Sequence, residues 1–126
     1  MPMQLKLDLT VTPAFQGKPL IENTTWLDVS DLAREVGFAG TVYISVTLHD
    51  ELEPLQNETD GDYDQRLYDV IWLAHHYWRL DQRPAYSFMF YFLREDLITG
   101  STIESSLRLH AEVDERTARL GILQDF

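Results

Sequence analysis

Residues 63–80 read YDQRLYDVIWLAHHYWRL. The apolar side chains of this stretch recur at spacings of three and four residues, which places them on one face of a helix. They are Leu67, Val70, Ile71, Ala74, Tyr77 and Trp78. Pro84 prevents a long continuation, because proline has no N–H to donate within a helix. The pattern predicts a helix over residues 63–80.

The chain before this helix alternates twice between apolar and polar residues. Residues 3–11 and residues 41–49 each follow a period of two, which predicts two half-buried strands. Proline and glycine interrupt residues 12–25, so we expect a loop there.

A short helix is predicted over residues 31–36. Asp28 or Ser30 is expected to cap its beginning, because a side-chain oxygen there can accept a hydrogen bond from a free backbone amide. Gly37 is expected to end it in a left-handed conformation.

Three strands are predicted after the long helix. Residues 86–93 are apolar or aromatic on both faces, as in a central strand covered on both sides or in a strand that presents aromatic rings to a partner. Residues 102–113 alternate again, and a hairpin turn at residues 114–116 leads into a last strand over residues 117–124.

These elements follow one another as β-α-β-α-β-β-β. We therefore expect an α+β fold with a mixed or mainly antiparallel sheet of about five strands and two helices on one face. The length of 126 residues and the 44% hydrophobic content suit a single domain over residues 1–126.

The chain is strongly acidic, with 21 acidic and 10 basic residues and a formal net charge of −11. This charge disfavours direct binding to nucleic acid or to a membrane and favours a basic protein surface as partner. The alternative is that the acidity only keeps the protein soluble. No leader and no transmembrane stretch is evident, so we expect a cytoplasmic protein.

A third of the acidic residues fall in one segment, residues 50–64, which contains no Lys or Arg. We interpret the segment as an exposed acidic loop that continues into the start of the long helix. The positive end of the helix dipole stabilises carboxylates there. Its carboxylates are expected to form one negative patch and to contact a partner. They are Asp50, Glu51, Glu53, Glu58, Asp60, Asp62 and Asp64.

No catalytic or metal-binding motif is recognisable. The stretch from Asp60 to Asp64 begins like a calcium loop, but Gln65 stands where the loop needs glycine and Ile71 where it needs glutamate. The absence of cysteine excludes disulfides and thiolate metal sites. We expect no cofactor, no metal and no enzymatic activity. The alternative is a metal-dependent enzyme that uses His49, His75, His76 or His110 with nearby carboxylates.

The long helix also carries apolar side chains on a second face, among them Tyr68 and Trp72. Either these rings pack in the core, or they meet a partner protein. In the second case this face, or the strand over residues 86–93, is a candidate homodimer interface.

Two stretches, LDVSDLAREVGF at residues 27–38 and RLYDVIWLA at residues 66–74, resemble an uncharacterised family of small proteins carried on bacterial plasmids and phages. That family has a DVSxLAxExGF block and an RLxDVLWM-like helix, and the resemblance covers residues 26–95. It implies no transferable activity or catalytic residue. It does imply a mobile-element setting, in which small acidic proteins often antagonise host defence.

We therefore expect an acidic protein-binding module that inhibits a host nucleic-acid-binding defence system, of the anti-CRISPR or anti-restriction type. Its carboxylates would lie where DNA phosphates normally lie on a basic groove, as in DNA mimicry. An uncharacterised homo-oligomeric interaction protein is the alternative, followed by the metal-dependent enzyme.

Overall fold

The computed structural model describes residues 11–12, 25–55, 58–96, 98–114 and 116–126. Most of the strand predicted over residues 3–11, and of the loop predicted over residues 12–25, lies outside these ranges. What is described there is a two-residue strand, β1 (Val11–Thr12), which pairs with the next strand.

The described elements alternate between the sheet and three helices. Strand β2 (Trp26–Asp28) leads into helix α1 (Ser30–Val36), and strand β3 (Thr41–Ser45) leads directly into helix α2 (Val46–Leu52). The long helix α3 (Asp60–Asp81) follows. Strands β4 (Ala85–Glu95), β5 (Thr102–Val113) and β6 (Thr117–Ile122) end the chain together with a 3-10 turn (Leu123–Asp125).

The strands form one mixed sheet in the order β1-β2-β3-β6-β5-β4. Strands β3 and β6 pair in parallel, and the other neighbours pair antiparallel. This arrangement confirms the predicted α+β class with a mixed sheet, although it has a third helix that was not predicted. The long helix is also confirmed, and it begins three residues earlier than expected.

The helices pack on one face of the sheet. Along β6, Ala118 and Leu120 belong to the hydrophobic core that the helices share, while Arg119 between them is buried on the other face. The alternation is the ordinary consequence of a period of two in a strand. From α3 the core receives Leu67, Val70, Ile71 and Ala74.

Helix α1 ends as predicted. Gly37 has a φ of 130°, and a Cβ atom at this position would lie 2.8 Å from the His75 ring, so glycine is required for conformation and for space. At the other end the predicted caps have different roles. The Asp28 carboxylate accepts from the Ser30 N–H at 2.8 Å, and the Ser30 hydroxyl accepts from the Val42 N–H at 2.9 Å. Ser30 thereby ties the helix to β3.

The strand predicted over residues 41–49 is wrong beyond Ser45, because a helix begins at Val46. The Ser45 hydroxyl accepts from the Leu48 N–H at 3.0 Å and so caps that helix. Val46 and Leu48 fit the alternation of a strand, yet Leu48 is buried from the first turn of a helix.

Strand β4 is an edge strand in the described sheet and not a central one. Phe88, Phe90 and Phe92 are buried against the helices, whereas Met89 and Tyr91 between them are exposed on the opposite face. Of the two interpretations of its apolar pattern, the geometry agrees with a strand that presents side chains outward.

Candidate protein-interaction surface

The acidic segment is mostly helical and is not a loop. Asp50 and Glu51 lie in the last turn of α2, Glu53 follows directly, and Asp60 begins α3. These four residues are exposed, and Asp62 and Asp64 are half-buried. The ends of two helices therefore hold these acidic side chains on a folded scaffold.

Tyr63 marks where the two helix ends meet. Its buried ring lies in the core, and its hydroxyl is 2.6 Å from Nδ1 of His49. Nε2 of His49 is 2.7 Å from a carboxylate oxygen of Glu53. A neutral His49 with its hydrogen on Nε2 satisfies both contacts: Tyr63 donates to Nδ1, and Nε2 donates to Glu53.

Several carboxylates lie close enough to Tyr63 to affect the pKa of its hydroxyl. Burial raises the pKa of the Tyr63 hydroxyl, and the negative charges of Glu53, Asp64 and Asp50 raise it further. Three carboxylates, from α2, its end and α3, therefore lie near the same buried hydroxyl.

Asp62 has a structural role within this surface. Its carboxylate accepts from the backbone N–H of Thr59 at 2.8 Å, in a capping box at the start of α3. The positive end of the helix dipole favours Asp60 and Asp62 in this first turn. Part of the acidity of the segment thus stabilises the helix.

Glu58 does not belong to the exposed surface, and its inclusion in the exposed acidic loop was wrong. Its side chain is 4% exposed and forms a salt bridge with Arg66, whose side chain is 6% exposed. Burial would raise the pKa of Glu58, but hydrogen bonds from Arg66 and from the backbone N–H groups of Leu55 and Glu95 outweigh it and lower the pKa.

Two basic side chains lie beside the acidic surface, and one of them, Arg94, is close enough for the negative charge of Glu51 to act on it. Arg66 is committed to Glu58, and Arg94 donates to the backbone carbonyl of Glu51. Within the described ranges, the carboxylates of Asp50 and Glu51 form no ion pair with Lys, Arg or His.

Tyr68 and Trp72 lie on the solvent side of α3, 40% and 47% exposed, so of the two alternatives the packing of these rings in the core is wrong. Trp72 stacks on His76 with the ring centres 5.2 Å apart. Asp64, Tyr68 and Trp72 follow each other at intervals of four residues, which places them on one side of the helix. The acidic surface therefore continues into an aromatic stripe.

The histidines are dispersed. His49 contacts Tyr63 and Glu53, and His110 contacts Ser87 and Glu112 on the other face of the sheet. In the part of the chain that the structure describes, no group of three or more His, Asp and Glu side chains is arranged to hold a metal ion. No described helix is both long and apolar enough to cross a membrane.

Sequence reasoning missed an apolar cleft of about 280 Å³ between the end of α1, α3 and the β5–β6 hairpin. His75 and Trp78 line it from α3, and Phe38 packs edge-on against His75. Burial lowers the pKa of His75, and the nearby positive charge of Arg79 lowers it further. Adjacent histidines in a sequence carry no signal for such a cleft.

Comparison of the chain with protein-family models, with curated proteins and with solved structures finds no match. The function is therefore inferred from the surface itself.

Proposed function

We propose that the protein is an acidic protein-binding module whose negative surface binds a basic surface of a nucleic-acid-binding host complex. The observation that carries this proposal is the placement of the exposed residues Asp50, Glu51 and Asp60 at the end of α2 and the start of α3. Carboxylates gathered by two helix ends repel one another and cost stability, so a basic partner that neutralises them gains binding energy and faster encounter.

The aromatic stripe of Tyr68 and Trp72 can contribute the affinity that exposed charges alone do not provide. Charged groups at the rim of an interface mainly set the rate of association, whereas buried aromatic anchors contribute most of the affinity. Trp72, which stacks on His76 about two helical turns after Asp64, suits such an anchor. Inhibition of a defence system by occupying its nucleic-acid groove, the anti-CRISPR or anti-restriction type of action, is the setting we propose for this surface.

Affinity capture with matched charge variants tests the proposal. Asp50→Asn, Glu51→Gln and Asp60→Asn together remove three exposed charges from the surface. The control, Asp31→Asn with Glu35→Gln and Glu104→Gln, removes three exposed charges elsewhere. Both variants have a formal net charge of −8 instead of −11.

We expect the wild type and the control to retain the same nucleic-acid-binding proteins from a bacterial lysate, and the surface variant to lose them. Equal retention of the lysate proteins by the wild type and both variants would show that the position of the charges is irrelevant to binding. The acidity would then be explained by solubility.

A further inference from the structure

The outer edge of β4 has backbone groups that point away from the sheet. The Pro84 carbonyl accepts a hydrogen bond from the Val113 N–H, and the Asp96 N–H donates to the Ser101 carbonyl. Both groups therefore point toward β5. The Leu93 carbonyl instead accepts from the Arg66 side chain, and the Glu95 N–H donates to the Glu58 carboxylate, both on the outer side. Because bonding directions alternate along an antiparallel strand, the backbone groups of Ser87, Met89 and Tyr91 also point outward.

This edge is closed at one end and open along the rest. Arg66 and Glu58 cover it at Leu93 and Glu95, and the remaining run is residues 85–91. Among the described strands, none lies on that side of β4. Natural sheets protect long edges with charges, bulges or short strands, because unpaired edges recruit other strands. Residues 85–93 contain no charged residue.

Apolar side chains flank the open edge on both faces of the sheet. On the helix side, Tyr77 of α3 contacts Phe88 with ring centres 5.4 Å apart. A cleft of about 420 Å³ there is lined by Tyr77, Leu80 and Tyr86 together with Ser87 and the Asp81–Arg83 ion pair. On the other side, Tyr91 and Leu93 are 57% and 62% exposed. A strand added here would bury apolar surface above and below its backbone.

This edge is the part of the sheet that a second copy of the chain can approach with the least electrostatic repulsion. A net charge of −11 makes two copies repel, and the uncharged run of β4 lets them approach with little repulsion. If two β4 strands pair antiparallel about an axis at Met89, Ser87 lies opposite Tyr91 of the second copy. Arg83 and Glu95 of the two copies lie just beyond the hydrogen-bonded run, where Arg83 is paired with Asp81 of its own chain.

We propose that two copies of the chain form a homodimer by pairing their β4 strands antiparallel about Met89, which joins two sheets into one. The register supplies about six backbone hydrogen bonds, from the outward groups of Ser87, Met89 and Tyr91 in each copy. The run of hydrogen bonds between the two copies ends before Leu93, because the Leu93 carbonyl already accepts from Arg66. Tyr77 and Leu80 of each copy then flank the second copy's strand.

Sedimentation of the full chain over a wide concentration range tests this interface. The wild type is expected at twice the chain mass of 14.7 kDa. Met89→Pro removes an outward N–H without removing a bond to β5, and Met89→Lys with Tyr91→Lys places like charges across the axis. Both variants are expected to halve the measured mass while the circular dichroism spectrum is retained.

Trp72→Lys is the matched control, because it adds a charge on the solvent side of α3, and it is expected to remain dimeric. Hydrogen exchange gives a second readout that needs no variant: the amides of Ser87, Met89 and Tyr91 are expected to gain protection as concentration rises. A monomeric wild type, or a dimer that persists in both β4 variants, would overturn the proposal. The acidic-surface variant is expected to stay dimeric, which separates this interface from the proposed function.

Discussion

Arg66 joins three parts of the fold through one buried guanidinium. It donates to the carbonyl of Leu52 at the end of α2, to the carboxylate of Glu58 and to the carbonyl of Leu93 in β4. It also lies over the Phe92 ring at 5.1 Å. The Glu58 carboxylate and the edge of β4 therefore both depend on this side chain.

Arg66→Met is expected to lower the free energy of unfolding by about 3–5 kcal/mol, because it leaves the Glu58 carboxylate buried without its cation. The control is Arg34→Met, which breaks the exposed pair with Asp31 and is expected to cost at most about 1 kcal/mol. Chemical denaturation of both variants measures the difference. Similar losses would mean that burial of the Glu58–Arg66 pair is energetically unimportant.

His75 is expected to make stability depend on pH. Its pKa is lowered in the folded chain, chiefly by burial, so the folded state favours the neutral ring. The resulting stabilisation is fully present above the unfolded pKa of about 6.5 and is lost as the pH falls from there toward the folded pKa.

His75→Gln should therefore show a shallower loss of unfolding free energy between neutral and mildly acidic pH than the wild type. The matched control is Gln65→Ala, at an exposed position of α3, which removes no titratable group and should keep the wild-type slope. An unchanged slope in His75→Gln would contradict the assignment.

At the scale of elements, the boundary between β3 and α2 depends on Ser45. Its hydroxyl caps α2 through the Leu48 N–H and donates to the buried Asp125 carboxylate at 2.5 Å. The Thr47 hydroxyl and the Ile122 N–H donate to the same carboxylate. This cluster ties the start of α2 to the C-terminal turn.

Ser45→Ala is expected to cost about 1–3 kcal/mol of unfolding free energy, because it removes the helix cap and one donor to a buried carboxylate. Ser106→Ala at an exposed position of β5 should stay within about 0.5 kcal/mol of the wild type. Thermal or chemical unfolding distinguishes the two, and equal effects would argue against the capping role.

The same boundary shows where the sequence is insufficient. Val42, Ile44, Val46 and Leu48 alternate without a break, so periodicity alone extends the strand to residue 49. The cap at Ser45 depends on Asp125, 80 positions away, which no local pattern reveals. In contrast, α3 and the β5–β6 hairpin were predictable because their patterns are long and their ends carry Pro84 and a polar turn.

At the scale of the whole molecule, the sequence predicted the α+β class and the excess of acidic residues, but not which of them are exposed. Glu58 and Asp62 lie within the same acidic run as Asp50 and Glu51, yet the first is buried against Arg66 and the second caps α3. Charge counts cannot separate these roles, because they depend on side chains that meet only in the folded chain.

If the protein captures a host complex from a lysate, duplex DNA and the protein should compete for that complex. If the acidic surface occupies a nucleic-acid groove, added duplex DNA should displace the protein, and the apparent affinity should fall steeply as salt rises. The variant with Asp50→Asn, Glu51→Gln and Asp60→Asn should bind more weakly and show a smaller salt dependence. Binding that is insensitive to both DNA and salt, and equal in that variant, would contradict the account.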